Sequence, residues 1–403
     1  MRASVSGLFH VPRSGLILSI ACGIVLAYLL LLIKFLLNGI WIYDAAGHPL
    51  VVDFLPVHVA GREALKGHIA ALYDPGQLHN LEAAFIGHPF AGFLGWHYPP
   101  LFLLIAMALA FLPYGLAFAL WVGATALGFA ATVGAIARRP SAGAMALALP
   151  PAFACAMVGQ NGFFTAILLG AALLWLPRRP ILAGALLALL AFKPQLGILI
   201  PFALIGGGYY RALLSAAAFT ALWVGVGYWL SPESFTAFVH YLPQTSHAVL
   251  DMGSSGWGKL RSGFALVHLL GGRSAAAWTV QFSEVALLAM LCVWLWRQRN
   301  IAYELKASCL AICCLLATPY VYFYDLPLLA IPLAFVYRAG DFKRTEQVAI
   351  AVIMAVLAGF FFVSVPLGLF AALVILAITL RRIGGGQFAA LRMLGARPIQ
   401  LAE

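Results

Sequence analysis

The chain is 403 residues long, 64% hydrophobic and only 9% charged, with a mean hydropathy of +0.98. Soluble globular proteins carry about 25% charged residues, so the composition excludes a soluble fold and predicts an all-α polytopic membrane protein. The formal charge of +11 does not imply a nucleic-acid partner, because the Lys and Arg residues fall in short clusters between apolar segments rather than on one face.

Residues 14–38 form the first long apolar run. They exceed the roughly 7–15 residues of a signal-peptide core and lack a following small-residue cleavage site, which predicts a retained span. Further runs follow at 98–113, 115–137, 142–158, 162–177, 180–192, 195–208, 211–230, 275–296, 305–321, 325–338, 347–363 and 366–380. Basic residues order them. With Arg2 and Arg13 cytoplasmic and 98–113 a re-entrant or interfacial piece, Arg138-Arg139, Arg178-Arg179, Arg211, Arg297/Arg299/Lys306, Arg338/Lys343/Arg344 and Arg381-Arg382 all fall inside. This predicts about twelve crossings in a single transmembrane domain over 1–382, extracytoplasmic loops at 39–97 and 231–274, and a cytoplasmic tail at 383–403. The polar segments then share the extracytoplasmic face, an arrangement suited to one-sided chemistry rather than to passage through broken helices at the midplane.

In chain order, the loop 39–97 holds five acids and six histidines. Asp53 stands between Val51-Val52 and "FLPV", and apolar surroundings make a carboxylate more basic, as a general base requires. His58 and Arg62 lie on the helical segment that follows and are candidate substrate contacts. "ALYDPGQLH" (71–79) predicts a helix ending at Tyr73, a turn at Asp74-Pro75-Gly76 and a new helix, with a structural role. "GWHYPPLFLL" (95–104) brings His97 and Tyr98 to the mouth of an apolar segment, as interfacial anchors or as a sugar-binding wall.

"VGQNGFF" (158–164) is a turn offering the amides of Gln160 and Asn161 at the membrane surface. In "LLAFKPQLGIL" (189–199) Lys193 sits between apolar segments, where it costs about 2.5–3.5 kcal/mol at a helix centre. It needs an anionic partner or a route to water, and Pro194 interrupts the helix so that Gln195 lines the same pocket. The loop 231–274 ends in "GSSGWGKLRSGFALVHLL", a mobile lid bearing Lys259 and Arg261. "ATPYVYFYDLPLL" (317–329) sets Tyr320, Tyr322, Tyr324 and Asp325 at the top of two apolar segments, and Asp325 requires a partner such as Lys193, His97 or Arg261.

Several signatures are missing. The six cysteines show no C-x-x-C spacing, so no disulfide framework or zinc site is indicated. There is no D-x-D, no phosphate loop, no H-E-x-x-H and no G-x-S-x-G elbow. No metal and no cofactor are expected.

Taken as a set, "DFLPVHVAGREALKGHIAALYD" (53–74), "YPPLFLL" (98–104), "GQNGFFTAILLG" (159–170), "AGALLALLAFKPQLGILIP" (183–201) and "TPYVYFYD" (318–325) resemble, in order and spacing, the glycosyltransferase 87 family. These are membrane-embedded enzymes of the GT-C fold, related to polyprenol-phosphate-mannose-dependent α-mannosyltransferases. The resemblance implies inverting transfer of a hexose, mannose first, from a polyprenyl-phosphate donor to a lipid-linked or cell-envelope acceptor. It implies an active site on the periplasmic side of a bacterial inner membrane, with Asp53 matching the family's catalytic base. Related members carry a histidine in the segment corresponding to 318–325, where this sequence has Tyr324-Asp325.

That chemistry suits the residues present. A carboxylate can take the acceptor's proton, and the departing phosphate needs positive charge rather than an acid, from Lys193 with Lys259 or Arg261. One carboxylate serving one displacement gives inversion. The alternative reading is a flippase or polymerase of lipid-linked glycans.

Overall fold

The computed structural model describes residues 13–92, 94–361 and 365–395. Arg2 of the expected cytoplasmic N-terminus, and 396–403 of the expected tail, lie outside them. The described elements are helical apart from a two-residue ladder that pairs Ile40–Trp41 with Tyr43–Asp44.

The first helix, α1 (Arg13–Leu37), leads to two loop helices, α2 (Leu55–Leu65) and α3 (Pro75–Ile86). Asp74 caps α3 by accepting from the Gln77 backbone N–H at 2.9 Å, and Pro75 supplies the first helical position. The turn expected at Asp74-Pro75-Gly76 is therefore a helix start. Only a 3₁₀ turn, Ala70–Leu72, precedes it instead of a helix ending at Tyr73.

The 98–113 run yields a 3₁₀ turn, Pro100–Phe102, and α4 (Leu103–Ala110). At 1.5 Å per residue α4 reaches about 12 Å, far short of the roughly 30 Å hydrocarbon core. It packs on α2 so closely that a Cβ on Gly61 would collide with the Ala106 carbonyl.

Next come α5 (Tyr114–Ala137), α6 (Pro140–Leu147), α7 (Pro150–Val158), α8 (Gly162–Trp175), α9 (Pro180–Leu189), α10 (Ile200–Gly206) and α11 (Tyr210–Leu230). The second loop contains α12 (Pro232–Ser246) and α13 (Gly263–Leu269). The chain closes with α14 (Ser274–Arg297), α15 (Tyr303–Leu316), α16 (Ala330–Arg338), α17 (Arg344–Ala358) and α18 (Leu367–Gly395), which carries the start of the expected tail as helix.

Proline stands in the first turn of α2, α3, α6, α7, α9, α10 and α12, where it costs no internal hydrogen bond but stops whatever precedes it. The apolar runs are thereby cut short. Five described helices are long and apolar enough to cross a membrane: Gly15–Leu37, Tyr114–Ala137, Tyr210–Trp229, Ser274–Arg297 and Leu367–Gly385. The pair α6 and α7, bent by 69°, makes a sixth if taken as one span. These are fewer than the twelve or so crossings expected from the hydropathy runs, a number that would need the shorter apolar helices, such as Gly162–Trp175 and Pro180–Phe192, as well.

Two groups of contacts mark two ends of the bundle. At one end Arg338 pairs with Glu304 at 3.4 Å and donates to the Ile136 carbonyl, Arg139 lies over the Tyr337 ring, and Arg382 clamps Glu346. At the other, Trp41 Nε1 donates to the Met157 carbonyl at 2.6 Å and Ser262 Oγ to the Pro319 carbonyl at 2.9 Å. One large apolar core joins the two ends. A second, smaller cluster of Val249, Leu250, Leu260, Phe264, Ala265 and Ala277 lies beneath the second loop.

Candidate active site

The loop-bearing end is organised by the turn between α7 and α8. Gly159 ends α7 at φ +70°, and a Cβ there would meet Phe118 at 2.6 Å and Phe54 at 2.8 Å. The backbone is pinned on all sides. Trp121 Nε1 donates to the Gly159 carbonyl at 3.1 Å, the Cys155 thiol to the Gln160 carbonyl at 3.3 Å, and the Thr165 hydroxyl to the Asn161 carbonyl at 3.0 Å.

The side chains of this turn therefore have fixed directions. Gln160 Nε2 donates to Asp53 Oδ2 at 3.4 Å, the Tyr98 hydroxyl donates to Gln160 Oε1 at 3.1 Å, and Asn161 Nδ2 donates to the Tyr98 oxygen at 2.7 Å. Asp53, immediately before α2, is thus joined to the turn after α7 and to Tyr98 before α4. Tyr98 itself leans on Phe102 and Phe192, whose rings stack at 5.1 Å, and Tyr73 donates to its carbonyl at 3.2 Å.

Beside this network lies the segment after α15. A Cβ on Gly162, the first residue of α8, would strike the Tyr324 carbonyl, so only glycine lets the two segments touch. Tyr322 and Tyr324 stack at 5.2 Å. Asp325 accepts from Lys193 Nζ at 2.6 Å through one oxygen and from the Tyr322 backbone N–H at 3.0 Å through the other. Lys193 also lies 5.7 Å from the Tyr324 ring centroid. The partner sought for Asp325 is Lys193, and the pair is almost wholly buried.

Asp53, His97, Tyr98, Tyr322 and Tyr324 share an unusual combination. Each lies deep within the protein mass, yet each keeps part of its surface accessible, His97 more than a third. Of these, Tyr98, Tyr322 and Tyr324 lie close enough to Asp53 for its charge to act on them. Burial raises the Asp53 carboxyl above its ordinary value, while the Gln160 hydrogen bond and the Lys259 charge pull in the opposite direction without cancelling it. Two open grooves of about 510 and 520 Å³ lie elsewhere, between residues 67–81 and α12, with Glu233 lining both.

The second loop, whose glycines and serines suggest a mobile segment, carries defined helices. It is largely helical and is latched to the tyrosine segment. Tyr320 donates to Ser246 Oγ at 2.6 Å, Ser255 and Tyr322 share a hydrogen bond at 3.0 Å, and Leu260 bridges to Tyr322. Trp257 stacks on His268 at 4.2 Å and donates to the Leu250 carbonyl. This fastening brings the exposed Lys259 close enough for its charge to act on Asp53.

Three expected site residues are not brought to this cluster. Arg261, expected on the donor phosphate, is buried between Phe323 and Phe360 and donates to the carbonyls of Gly258 (2.7 Å) and Val365 (2.6 Å). A guanidinium spent on backbone carbonyls and aromatic faces holds the loop in place. His58 is buried against Phe54, Phe85 and Tyr114, and Arg62 points outward over the Phe85 ring. Five and nine residues beyond Asp53, they sit on α2, whose inner face packs on α4 and α3. Gln195 lies half-buried just past Pro194, two residues from Lys193.

Sequence reasoning passed over Tyr322 as a site residue. The alternation Tyr320, Tyr322 in the extended approach to the 3₁₀ helix Phe323–Leu329 was its signal, since residues two apart in extended chain share a face. Among the described residues no group of three or more His, Cys, Asp or Glu side chains could hold a metal ion.

No curated protein and no solved structure matches the chain. The model of glycosyltransferase family 87 matches residues 96–319, which takes in Tyr98, the Gln160-Asn161 turn, Lys193 and the Lys259 loop. Asp53 precedes the matched region and Asp325 follows it. A chain with several membrane-length helices among its described residues, matched over more than half its length by this model, belongs to glycosyltransferase family 87.

Proposed function

We propose that the protein is an inverting glycosyltransferase of the GT-C type that moves a hexose, mannose first among them, from a polyprenyl-phosphate donor to a lipid-linked or cell-envelope acceptor. The bundle crosses a bacterial inner membrane twelve times, counting short and bent segments, with the Asp53 cluster on the periplasmic side. The observation that supports this best is Asp53 itself. A buried carboxylate of raised basicity is oriented by Gln160 and faced by the charge of a lysine from the second loop.

In the reaction, the acceptor hydroxyl gives its proton to Asp53 as its oxygen attacks the anomeric carbon. The carbon–oxygen bond to phosphate breaks, and its electron pair leaves on the phosphate. Lys259 balances the charge that grows there. Lys193, one layer deeper and already paired with Asp325, contributes to the same field with less force and fixes the tyrosine segment. His97, Gln195 and Tyr324 supply polar and aromatic walls for the sugar and phosphate.

The test is direct. Purified protein is incubated with radiolabelled polyprenyl-phosphate sugars and membrane-lipid acceptors, and label transfer is followed for the natural chain and for Asp53→Asn. Transfer from one donor, lost in the variant while donor binding persists, is the expected result. Undiminished turnover in the variant removes Asp53 as the base.

A further inference from the structure

The network around Gln160 has a direction. The backbone N–H of Asn161 can only donate, and it points at Gln160 Oε1 from 3.3 Å. This fixes the amide: its oxygen faces Asn161 and Tyr98, and its NH₂ group faces Asp53. With Gln160 presenting an acceptor, the single Tyr98 hydrogen is committed to it at 3.1 Å, so the Tyr98 oxygen must accept, and Asn161 Nδ2 donates to it at 2.7 Å. Asn161 keeps this orientation although its own Oδ1 is buried and finds no partner. An orphaned acceptor costs free energy, so the arrangement carries a penalty in order to aim donors in sequence at the Asp53 carboxylate.

From this geometry we propose that Tyr98 and Asn161 are positioning residues, which act through Gln160 to hold an amide donor on Asp53, rather than contacts that bind the sugar. The proposal deepens the reading of Asp53 as the base and rests on it. A donor aimed at the carboxylate favours its ionised form and leaves one oxygen directed at the acceptor hydroxyl. The Gln160–Asp53 separation of 3.4 Å is long for a hydrogen bond, as catalytic contacts often are before substrate binds. Other groups facing Asp53 are Lys259 on the second loop and Tyr322 and Tyr324 on the segment after α15, with the Asp325–Lys193 pair behind them. None of these is hydrogen-bonded to the Gln160 side chain, so their influence is separable from that of the relay.

Without the Tyr98 hydroxyl, Gln160 loses one of the donors that hold its oxygen in place and turns more readily, exposing Asp53 to a carbonyl instead of an NH₂ group. Tyr98→Phe is expected to lower kcat about tenfold, to leave donor and acceptor KM within about twofold, and to move the acidic limb of the rate profile upward by about half a unit. Gln160→Ala moves it by about one unit. The deciding experiment is the double variant: in the Gln160→Ala background, Tyr98→Phe has no further effect on kcat or on the limb. Additive losses, or a Tyr98→Phe effect confined to KM, overturn the relay and return Tyr98 to the substrate wall. Isotope-edited infrared titration of the Asp53 carboxylate in the natural chain and in Tyr98→Phe is independent of turnover. An upward shift there supports the relay even if Asp53→Asn retains activity, an outcome that would remove the base assignment alone; an unmoved titration defeats the relay.

Discussion

The two ends of the bundle each hold a buried ion pair, and they are built to opposite standards. At the basic end Arg382 is saturated. It meets both oxygens of Glu346, at 2.9 Å and 2.5 Å, and donates to the carbonyls of Val336, Gly340 and Asp341 at 2.8–3.0 Å. At the loop-bearing end Lys193 meets Asp325 through one oxygen and leans on the Tyr324 ring. A saturated guanidinium ties α16, α17 and α18 together and has no donor left for anything else. The Lys193 ammonium has three donors and spends one on a protein acceptor among the described residues. The contrast separates a clamp from a site more sharply than burial does, because both pairs are buried.

The largest expected effect tests whether the loop-bearing end is the chemical one. Asp53→Asn should cost transfer between about 10²- and 10⁴-fold, the usual contribution of a general base, with no loss of thermal stability in detergent. The sign follows from linkage. Burial raises the folded-state pKa of Asp53 above its unfolded value. The associated stability is present below the unfolded value, near 3.9, and is lost as pH rises through the folded one. An uncharged asparagine escapes that loss at neutral pH, so a variant melting well below the natural chain would mark Asp53 as structural.

Arg382→Ala should show the reverse pattern. Leaving Glu346 buried and unpaired costs about 3–5 kcal/mol, visible as a drop in melting temperature, while the protein that remains folded turns over normally. If kcat falls while stability holds, the basic end has a role in chemistry that its saturated geometry argues against. Lys259→Ala should be milder, raising donor KM about tenfold with stability intact, because the side chain is exposed and its loop is held by Arg261, Trp257 and Tyr322. Last, the acidic limb of kcat/KM should lie above the ordinary carboxylate value near 3.9, since activity falls as Asp53 is protonated. A limb at or below that value contradicts a buried base.

Much of this was legible beforehand, for identifiable reasons. A membrane class follows from charge content alone, and the cost of a lone lysine among apolar residues pointed to an anionic partner, which Asp325 supplies. Asp53, Tyr98, Gln160 and Asn161 were singled out from their types and their positions beside apolar runs, and the structure joins them in one network. What sequence does not carry is where a side chain points. Arg261 and Lys259 are two residues apart in the same glycine-rich stretch. The first turns inward because the Val365 carbonyl, about a hundred positions later, awaits it; the second stays out. The length of the individual helices was hidden for a related reason. Hydropathy counts apolar residues but is blind to the proline starts that divide them into helices too short to span alone.

Gly162 shows how narrow the margin at this site is. No other residue can stand where α8 begins against the carbonyl of Tyr324, so one added methyl would act as a wedge, prising the amide-bearing turn from the tyrosine strip and its ion pair. The two halves of the cluster would then separate without any loss of a polar group. A lesion of that sort would mimic removal of the base while leaving every reactive residue in the chain.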